Sequence, residues 1–165
     1  MADDPWGDVP LLIRGRTWEE MPVGFAFRTA SRTISETDLI NFVTLAGVNE
    51  PLFFDEPFGR DHGYSGRLVP GMMTFAYSEG LVIQTGSIHG TGLAFLHMEL
   101  DIKAPVFVGD TISVVVEVTA QRAASSGNRG LVTTRNTVIN QRGETVMVYS
   151  PVRLTKGVEP EGAPT

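Results

Sequence analysis

The sequence predicts an α+β domain in which an antiparallel sheet curls around one long buried helix. The helix is predicted over residues 69–86, where nearly every position from 71 to 83 is apolar or small. A helix that is apolar on almost all sides must be wrapped by other elements. Downstream, residues 93–155 contain only runs in which apolar and polar side chains alternate, which is typical of half-buried strands. These two patterns together predict the fold class.

Length and composition narrow the possible functions. The 165 residues suffice for one domain with its own core, and the absence of cysteine excludes disulfides, thiolate metal ligands and a cysteine nucleophile. A net charge of −6 argues against a nucleic-acid partner, because such proteins cluster Lys and Arg. No apolar run approaches the ~20 residues of a membrane span. We therefore expect a cytoplasmic domain that binds a small molecule or another protein, without nucleic acid or membrane.

The two ends of the chain are predicted to lie outside this domain. Residues 1–16 are predicted to form an N-terminal arm, in which 11–13 could dock on the body. The acidic start of the chain lacks the positive region of a signal peptide. Residues 157–165 are small, polar and proline-bearing, and predict a disordered tail. A single domain is thus expected over residues 17–156.

A strand and a short helix open the predicted domain. Apolar residues among Thr, Arg and Ser predict a first strand over residues 25–34. Ser35 and Asp38 then have the spacing of a capping box, which predicts a helix start. Apolar side chains follow at helical spacing, and Gly47 is a natural helix stop. We expect an amphipathic helix over about residues 36–46.

Residues 48–69 predict an ordered lid. Two prolines and three glycines prevent long regular structure, although Asp55 could cap one helical turn over residues 56–61. A loop of this length inside a compact domain is usually functional or disordered. Phe53, Phe54, Phe58 and Leu68 favour packing against the body. We therefore expect this segment to form the wall of a site.

Four strands are predicted after the buried helix. The alternating runs cover residues 96–103, 112–119 and 131–140, followed by a last strand with apolar residues from 146 to 154. Turns are predicted at residues 109–110 and 141–143, with a flexible hairpin loop at 123–130. Pro151 cannot donate a ladder hydrogen bond, so we expect a bulge or a sheet edge there.

Three motifs carry a family resemblance. The helix within residues 35–47 matches the pattern T-x-x-D/E…F-x-x-x-(S/T)-G. Residues 51–55 and 67–72 resemble the pattern G-D-x-N-P-x-H-x-D…G-x-I-x-H-G-M, and 103–111 resemble K-P-V-x-x-G-D-T. In this order they resemble the MaoC-type (R)-specific enoyl-thioester hydratases over about residues 17–156. The resemblance implies the hotdog fold, a curved five-stranded antiparallel sheet around a long central helix. It also implies the strand order 1-3-4-5-2, with the second strand pairing across a dimer.

The chain departs from this family at the catalytic positions. In the family, the lid supplies an Asp and, five residues later, a His, which act as the acid/base pair. Aligning the motifs places Val48 and Phe53 at these two positions, and neither side chain can transfer a proton. Pro70 replaces the family's His before the helix glycine. A positioned acid or base is typically worth roughly 10²–10⁴ in rate, so standard hydration should be nearly lost unless other groups substitute.

The resemblance also implies which residues form the site. It places a thioester carbonyl at the backbone N–H of Gly71, possibly with Met72, where a helix start leaves donors unpaired. Val48, Phe53, Pro70 and Met72 are the expected substrate contacts. Glu50 is a candidate replacement base, and Asn49 could orient a water. The alternative for both is a solvated loop residue.

Three functions remain open. The first is a MaoC-like hydratase or dehydratase of acyl-CoA or acyl-carrier thioesters with an altered active site. The second is an acyl-CoA thioesterase, which needs the carbonyl site and one carboxylate. The third is a catalytically silent hotdog subunit that binds acyl-CoA or completes the site of an active partner. We rank the first highest, and expect a homodimer or higher oligomer, possibly with a second hotdog chain, no metal and no cofactor besides the CoA thioester.

Overall fold

The computed structural model describes Val9 and residues 12–159 of the chain. Most of the predicted arm, including Leu11, and the last six residues of the predicted tail lie outside the described residues. Among the helices in the described part of the chain, none is long and apolar enough to cross a membrane.

The described residues form a curved sheet and four helices. In chain order these elements are β1 Ala26–Arg28, β2 Arg32–Thr33, α1 Glu36–Ala46, α2 Pro51–Phe54, α3 Glu56–Asp61, α4 Gly71–Gln84, β3 Gly92–Ile102, β4 Thr111–Ala123, β5 Arg129–Ile139 and β6 Thr145–Lys156. The strands are ordered β1-β4-β5-β6-β3, and β2 also pairs with β4. All pairings are antiparallel. This is the predicted order, with β1 and β2 together in the place of the first strand.

The prediction of one continuous first strand over residues 25–34 is wrong. This stretch forms two separate strands, β1 and β2, so the sheet has six strands where five were expected. Thr29 lies at the break. Its hydroxyl accepts a hydrogen bond from the backbone N–H of Val114 at 2.9 Å, and the hydroxyl donates to the carbonyl of Ala30 at 2.7 Å. The Thr29 side chain thus accepts a hydrogen bond that a backbone carbonyl would otherwise accept. The backbone pairing with β4 is therefore interrupted and resumes at β2.

Helix α1 has the predicted capping box. The Ser35 hydroxyl accepts from the Asp38 N–H at 3.1 Å, and the Asp38 carboxylate accepts from the Ser35 N–H at 2.9 Å. Gly47 ends the helix with φ 68°, a conformation that favours glycine. Local sequence therefore determines both ends of this helix.

Helix α4 crosses the concave face of the sheet and supplies much of the core. Pro70 caps its start, and Gly86 follows its end with φ +73°. The buried positions are Met73, Thr74, Ser78, Leu81 and Val82. The expectation of burial on almost all sides is wrong for one edge of the helix, since Met72 is 56% exposed and Ile83 50%. In the described chain, nothing covers this edge.

The segment between α1 and α4 is ordered by one arginine. The Arg67 guanidinium pairs with Glu36 of α1 at 2.8 Å and donates to the carbonyl of Phe53, the third residue of α2, at 2.7 Å. Asp55 caps α3, as predicted, by accepting from the Phe58 N–H at 3.1 Å. Leu68 forms a bridge with Phe107, just before the start of α4. The lid is therefore tied to the helix and to the sheet.

Pro151 is not at a sheet edge, but an irregularity of the kind predicted lies next to it, because the β3–β6 register shifts between Phe95 and His97, opposite Arg153 and Val152. Pro151 lies in β6, between β5 and β3, and pairs with Met98. The paired residues of β5 and β6 omit Ser150 and Pro151, and the register resumes unchanged beyond them. The sheet accommodates the missing N–H donor by a local gap in one ladder.

Both ends of the described chain hydrogen-bond to the body. Gly15 donates to the carbonyl of His89 at 3.0 Å, within the predicted arm. At the start of the predicted tail, Gly157 donates to the Asn128 carbonyl at 2.9 Å and Val158 to the Glu19 carboxylate at 3.2 Å. These bonds hold the chain ends beside the hairpin loop and the end of α4.

Candidate functional site

The start of α4 presents two backbone donors. The Pro70 carbonyl accepts from the N–H groups of Met73 and Thr74, each at 3.0 Å. Within the described chain, the N–H groups of Gly71 and Met72 have no acceptor. Unpaired donors and the positive end of the helix dipole both favour negative charge at this position. The helix start can therefore stabilise an oxyanion.

A cleft of about 360 Å³ borders this helix start. Its wall comprises the end of the lid, the first turn of α4, the end of β3 with the loop after it, and two residues of β6. The lining residues are Tyr64, Leu68, Val69, Gly71, Thr74, Ile102, Lys103, Ala104, Pro105, Val106, Val146 and Met147. The helix tip is thus accessible from a cavity, as the proposed carbonyl site requires.

Glycine at position 71 permits a close approach. A Cβ atom there would lie 2.4 Å from Cδ1 of Ile102, so the glycine lets Ile102 pack directly over the first turn. Ile102 is itself 59% exposed, at the end of β3. Ile102 therefore gives the cleft an apolar surface next to Gly71.

Three polar side chains that are not among the predicted site residues also line the cleft. Tyr64 is half-buried and packs edge-on against Phe107, with ring centroids 6.5 Å apart. Thr74 is buried and lies within 3.4 Å of the Pro70 carbonyl. Lys103 pairs with Asp101 at 3.0 Å on the surface. Lys103 is part of the third family motif, whereas nothing local distinguishes Tyr64.

The lid residues that were predicted to form the site are not among the residues that line this cleft. Val48 is half-buried, and its N–H donates to the Val43 carbonyl at 3.0 Å. Phe53 is half-buried and packs against the main core. Asn49 and Glu50 are exposed, and Glu50 occupies the N-cap of α2 without a capping hydrogen bond from its side chain. Of the predicted site residues, the cleft itself contains Gly71, while buried Pro70 and exposed Met72 flank it.

The buried serine of α4 is not positioned as a nucleophile. Its hydroxyl, Ser78 Oγ, donates to the Thr74 carbonyl one turn earlier at 2.7 Å. In the described chain, no group of His, Cys, Asp and Glu residues has the geometry of a metal site. The cleft offers backbone donors, the hydroxyl groups of Tyr64 and Thr74, and the ammonium group of Lys103.

A family model and a curated relative resemble this chain over most of the domain. Residues 22–149 match the model of the FAS1-like, dehydratase domain region. The (R)-specific enoyl-CoA hydratase of Aeromonas caviae is 32% identical over 104 residues, which cover 63% of this chain and 75% of that protein. Among the curated relatives that it matches, the chain spans from 53% to 75% of their length.

Solved structures share the fold. A MaoC domain dehydratase from Chloroflexus aurantiacus superposes with a TM-score of 0.83 at 25% identity, covering 92% of this chain and 43% of that one. A Mycobacterium tuberculosis protein with a double hotdog fold superposes with a TM-score of 0.79 at 21% identity, covering 92% and 47%. The second likeness concerns the fold alone. Together with the family match, these findings confirm the expected architecture: the chain belongs to the FAS1-like dehydratase domain region family and is a MaoC-like protein with the hotdog fold.

Proposed function

We propose that this protein is a hydratase or dehydratase of acyl-CoA or acyl-carrier thioesters with an altered acid/base group. The observation that carries the proposal is the pair of N–H groups at Gly71 and Met72, which have no acceptor in the described chain and lie at the start of α4, where Gly71 lines a cleft. The name of the Aeromonas caviae relative, an enoyl-CoA hydratase, supports this reaction class. A thioester carbonyl oxygen seated there would receive two hydrogen bonds.

The helix start would stabilise charge that develops during the reaction. In hydration, a base takes a proton from water, the oxygen of that water bonds to the β-carbon, and the double-bond electrons move toward the thioester oxygen. The resulting enolate then takes a proton at the α-carbon. In such oxyanion sites, a preorganised N–H donor typically increases the reaction rate by a factor of about 10²–10³. The reaction moves only water and protons, so we expect no cofactor besides the CoA of the substrate.

We propose Glu50 as the group that replaces the missing acid/base pair. It lies two residues after Val48, and in the described chain its carboxylate has no hydrogen bond or ion pair that would hold it away from a substrate. Asn49 beside it could orient the water. Tyr64 is a second candidate, because it lines the cleft directly.

The test is an acyl-thioester panel assayed for loss of the enoyl chromophore and for thiol release. Hydration consumes the enoyl group without freeing thiol, whereas a thioesterase frees thiol. We expect hydration, and expect Glu50→Gln to reduce it by roughly 10²–10⁴. Tyr64→Phe is the matched comparison at the cleft. Unchanged turnover in Glu50→Gln would exclude Glu50, and thiol release without hydration would overturn the proposed reaction.

We also propose that two copies of the chain pair through β3. This strand ends the sheet, and in the described chain its outer edge has no partner. Phe95, Leu96 and Ile102 of β3 are 46%, 55% and 59% exposed, next to the uncovered edge of α4. A long apolar edge strand favours pairing with another chain. The two structural relatives support this, since each has about twice the length of this chain.

One observation favours a catalytically silent subunit as the alternative. Phe53, which the motif alignment assigns to the position of the family's His, packs against the core, and Val48 is also apolar. A chain of this kind could bind acyl-CoA and complete the site of a competent hotdog partner. A stable homodimer with turnover of its own would exclude this alternative.

A further inference from the structure

We propose that the acyl chain of the substrate carries an uncharged oxygen group, a hydroxyl or a carbonyl, which binds beside Glu79 and Arg153. This inference rests on the proposed function and names the substrate class of the same site. It concerns a second cavity, of about 410 Å³, between the C-terminal half of α4 and the start of β3.

One face of α4 runs from the first cavity to the second. Gly71, Phe75 and Glu79 are spaced four residues apart and therefore share a face. Gly71 lines the first cavity and Glu79 the second. Gly71 and Glu79 are eight positions apart in the sequence, which corresponds to about 12 Å along the helix. An acyl chain of medium length that starts at Gly71 could therefore reach Glu79.

The intervening surface is apolar, as an acyl chain requires. The Phe75 ring packs edge-on against Tyr149 and Phe95, with centroids 5.2 Å and 6.5 Å apart. Ile83, Ile88 and Leu93 line the second cavity. Two polar features stand against this background: the ion pair between Glu79 and Arg153, which is largely buried, and His89, which is exposed.

The ion pair retains unused hydrogen-bonding capacity. Arg153 is only 7% exposed, pairs with Glu79, and donates to the Thr134 hydroxyl at 3.4 Å. A guanidinium has five N–H donors, so three of them have no acceptor in the described chain. The Glu79 carboxylate accepts from the Tyr149 hydroxyl at 3.0 Å. The Thr155 hydroxyl, which lies beside Arg153, is buried without a partner.

The charges in the pair determine what kind of group fits. The two charges cancel, so a carboxylate or ammonium group on the ligand would bring an uncompensated buried charge, which is costly. A plain alkyl end would leave the arginine donors unpaired. A carbonyl oxygen can accept from Arg153, and a hydroxyl can in addition donate to Glu79. An uncharged oxygen group is therefore the best match.

The ion pair is poorly explained by stability alone. Replacing a buried pair with apolar residues of similar volume is often neutral or stabilising, whereas removing one partner is strongly destabilising. This gives a usable variant, Glu79→Leu/Arg153→Met, which removes both charges together. Arg135→Met is the matched control, because Arg135 is exposed on the neighbouring strand β5.

The experiment measures the binding of saturated acyl-CoA ligands by calorimetry. One set of ligands carries a distal hydroxyl at different positions of the chain, and the reference ligand is the unsubstituted chain of equal length. We expect wild type and Arg135→Met to bind the best hydroxylated isomer about 10- to 100-fold tighter than the plain chain. The preference should peak for oxygens about 12 Å from the thioester, and the double variant should lose it.

The outcomes separate this inference from the proposed function. Equal binding of hydroxylated and plain chains by wild type would overturn the inference alone, as would a preference that survives in the folded double variant. The positional scan in wild type decides the question even if the double variant does not fold. Failure of every acyl-CoA to bind would overturn the proposed function itself.

Discussion

At the scale of single residues, Arg67 has the clearest structural role. Its side chain is 19% exposed, and it connects α1 to α2 through Glu36 and the Phe53 carbonyl. Hydrogen bonds to charged groups contribute more than neutral ones when they are partly buried. This guanidinium therefore helps to fix the position of the lid relative to α1.

We expect Arg67→Met to lower the free energy of unfolding by about 2 kcal/mol, because two charge-assisted contacts are lost. Urea denaturation measures this. Arg60→Met is the control, since the Arg60–Glu56 pair is exposed and should be worth under about 0.5 kcal/mol. Equal effects of the two substitutions would contradict the assigned role of Arg67.

Asp38 makes the stability of the protein depend on pH. Hydrogen bonds from the backbone and hydroxyl of Ser35, with further contributions from Tyr77 and Arg32, lower the pKa of Asp38 to about 2. A carboxyl with a lowered folded-state pKa contributes stability above its unfolded pKa, near 4, and loses it as the pH falls toward 2. The capping box should therefore contribute less to stability at low pH.

The corresponding prediction compares Asp38→Asn with wild type across pH. At pH 7 we expect the variant to be less stable by about 1–2 kcal/mol. The difference should shrink between pH 4 and pH 2, because wild-type Asp38 then becomes protonated. Denaturation curves at several pH values measure it. A difference that is independent of pH would show that the Asp38 charge does not matter.

At the scale of elements, the first turn of α4 can be tested by removing one N–H. Gly71→Pro deletes the amide donor at a position where helices accept proline, and Pro70 has ψ 138°, which suits the residue before a proline. Gly71→Ala keeps the donor and adds the same Cβ, which must displace the end of Ile102. The pair separates hydrogen bonding from steric effects.

We expect Gly71→Pro to reduce turnover about 10²–10³-fold relative to Gly71→Ala, since one oxyanion donor is lost. Steady-state kinetics on the best thioester of the panel measure this, with circular dichroism to check the fold. If the two variants have the same activity, the Gly71 amide has no role at the thioester.

At the scale of the whole molecule, the uncovered edge of β3 and α4 predicts a dimer. Leu96→Lys places a charge in the proposed interface and should weaken dimerisation by at least about tenfold. Leu45→Lys is the control, because Leu45 is 89% exposed on α1. Light scattering over a concentration series measures the mass. A wild-type protein that remains monomeric at high concentration would refute the proposed pairing.

The sequence by itself determined the features that depend on near neighbours. Ser35, Asp38 and Gly47 define α1, and Asp55 caps α3, because each acts on backbone groups within a few positions. Apolar periodicity determined the central helix and the strands. The ordered motifs then indicated the hotdog fold and its strand order, which the topology confirms.

Only the tertiary structure decided what depends on distant residues. Thr29 interrupts the first strand through Val114, which lies 85 positions away, and Arg153 reaches Glu79 across 74 positions. The position of Tyr64 in the same cleft as Gly71 and the open edge of α4 likewise depend on how the lid and the strands pack around the helix. Such contacts have no local signal, because their geometry arises only when the sheet closes over α4.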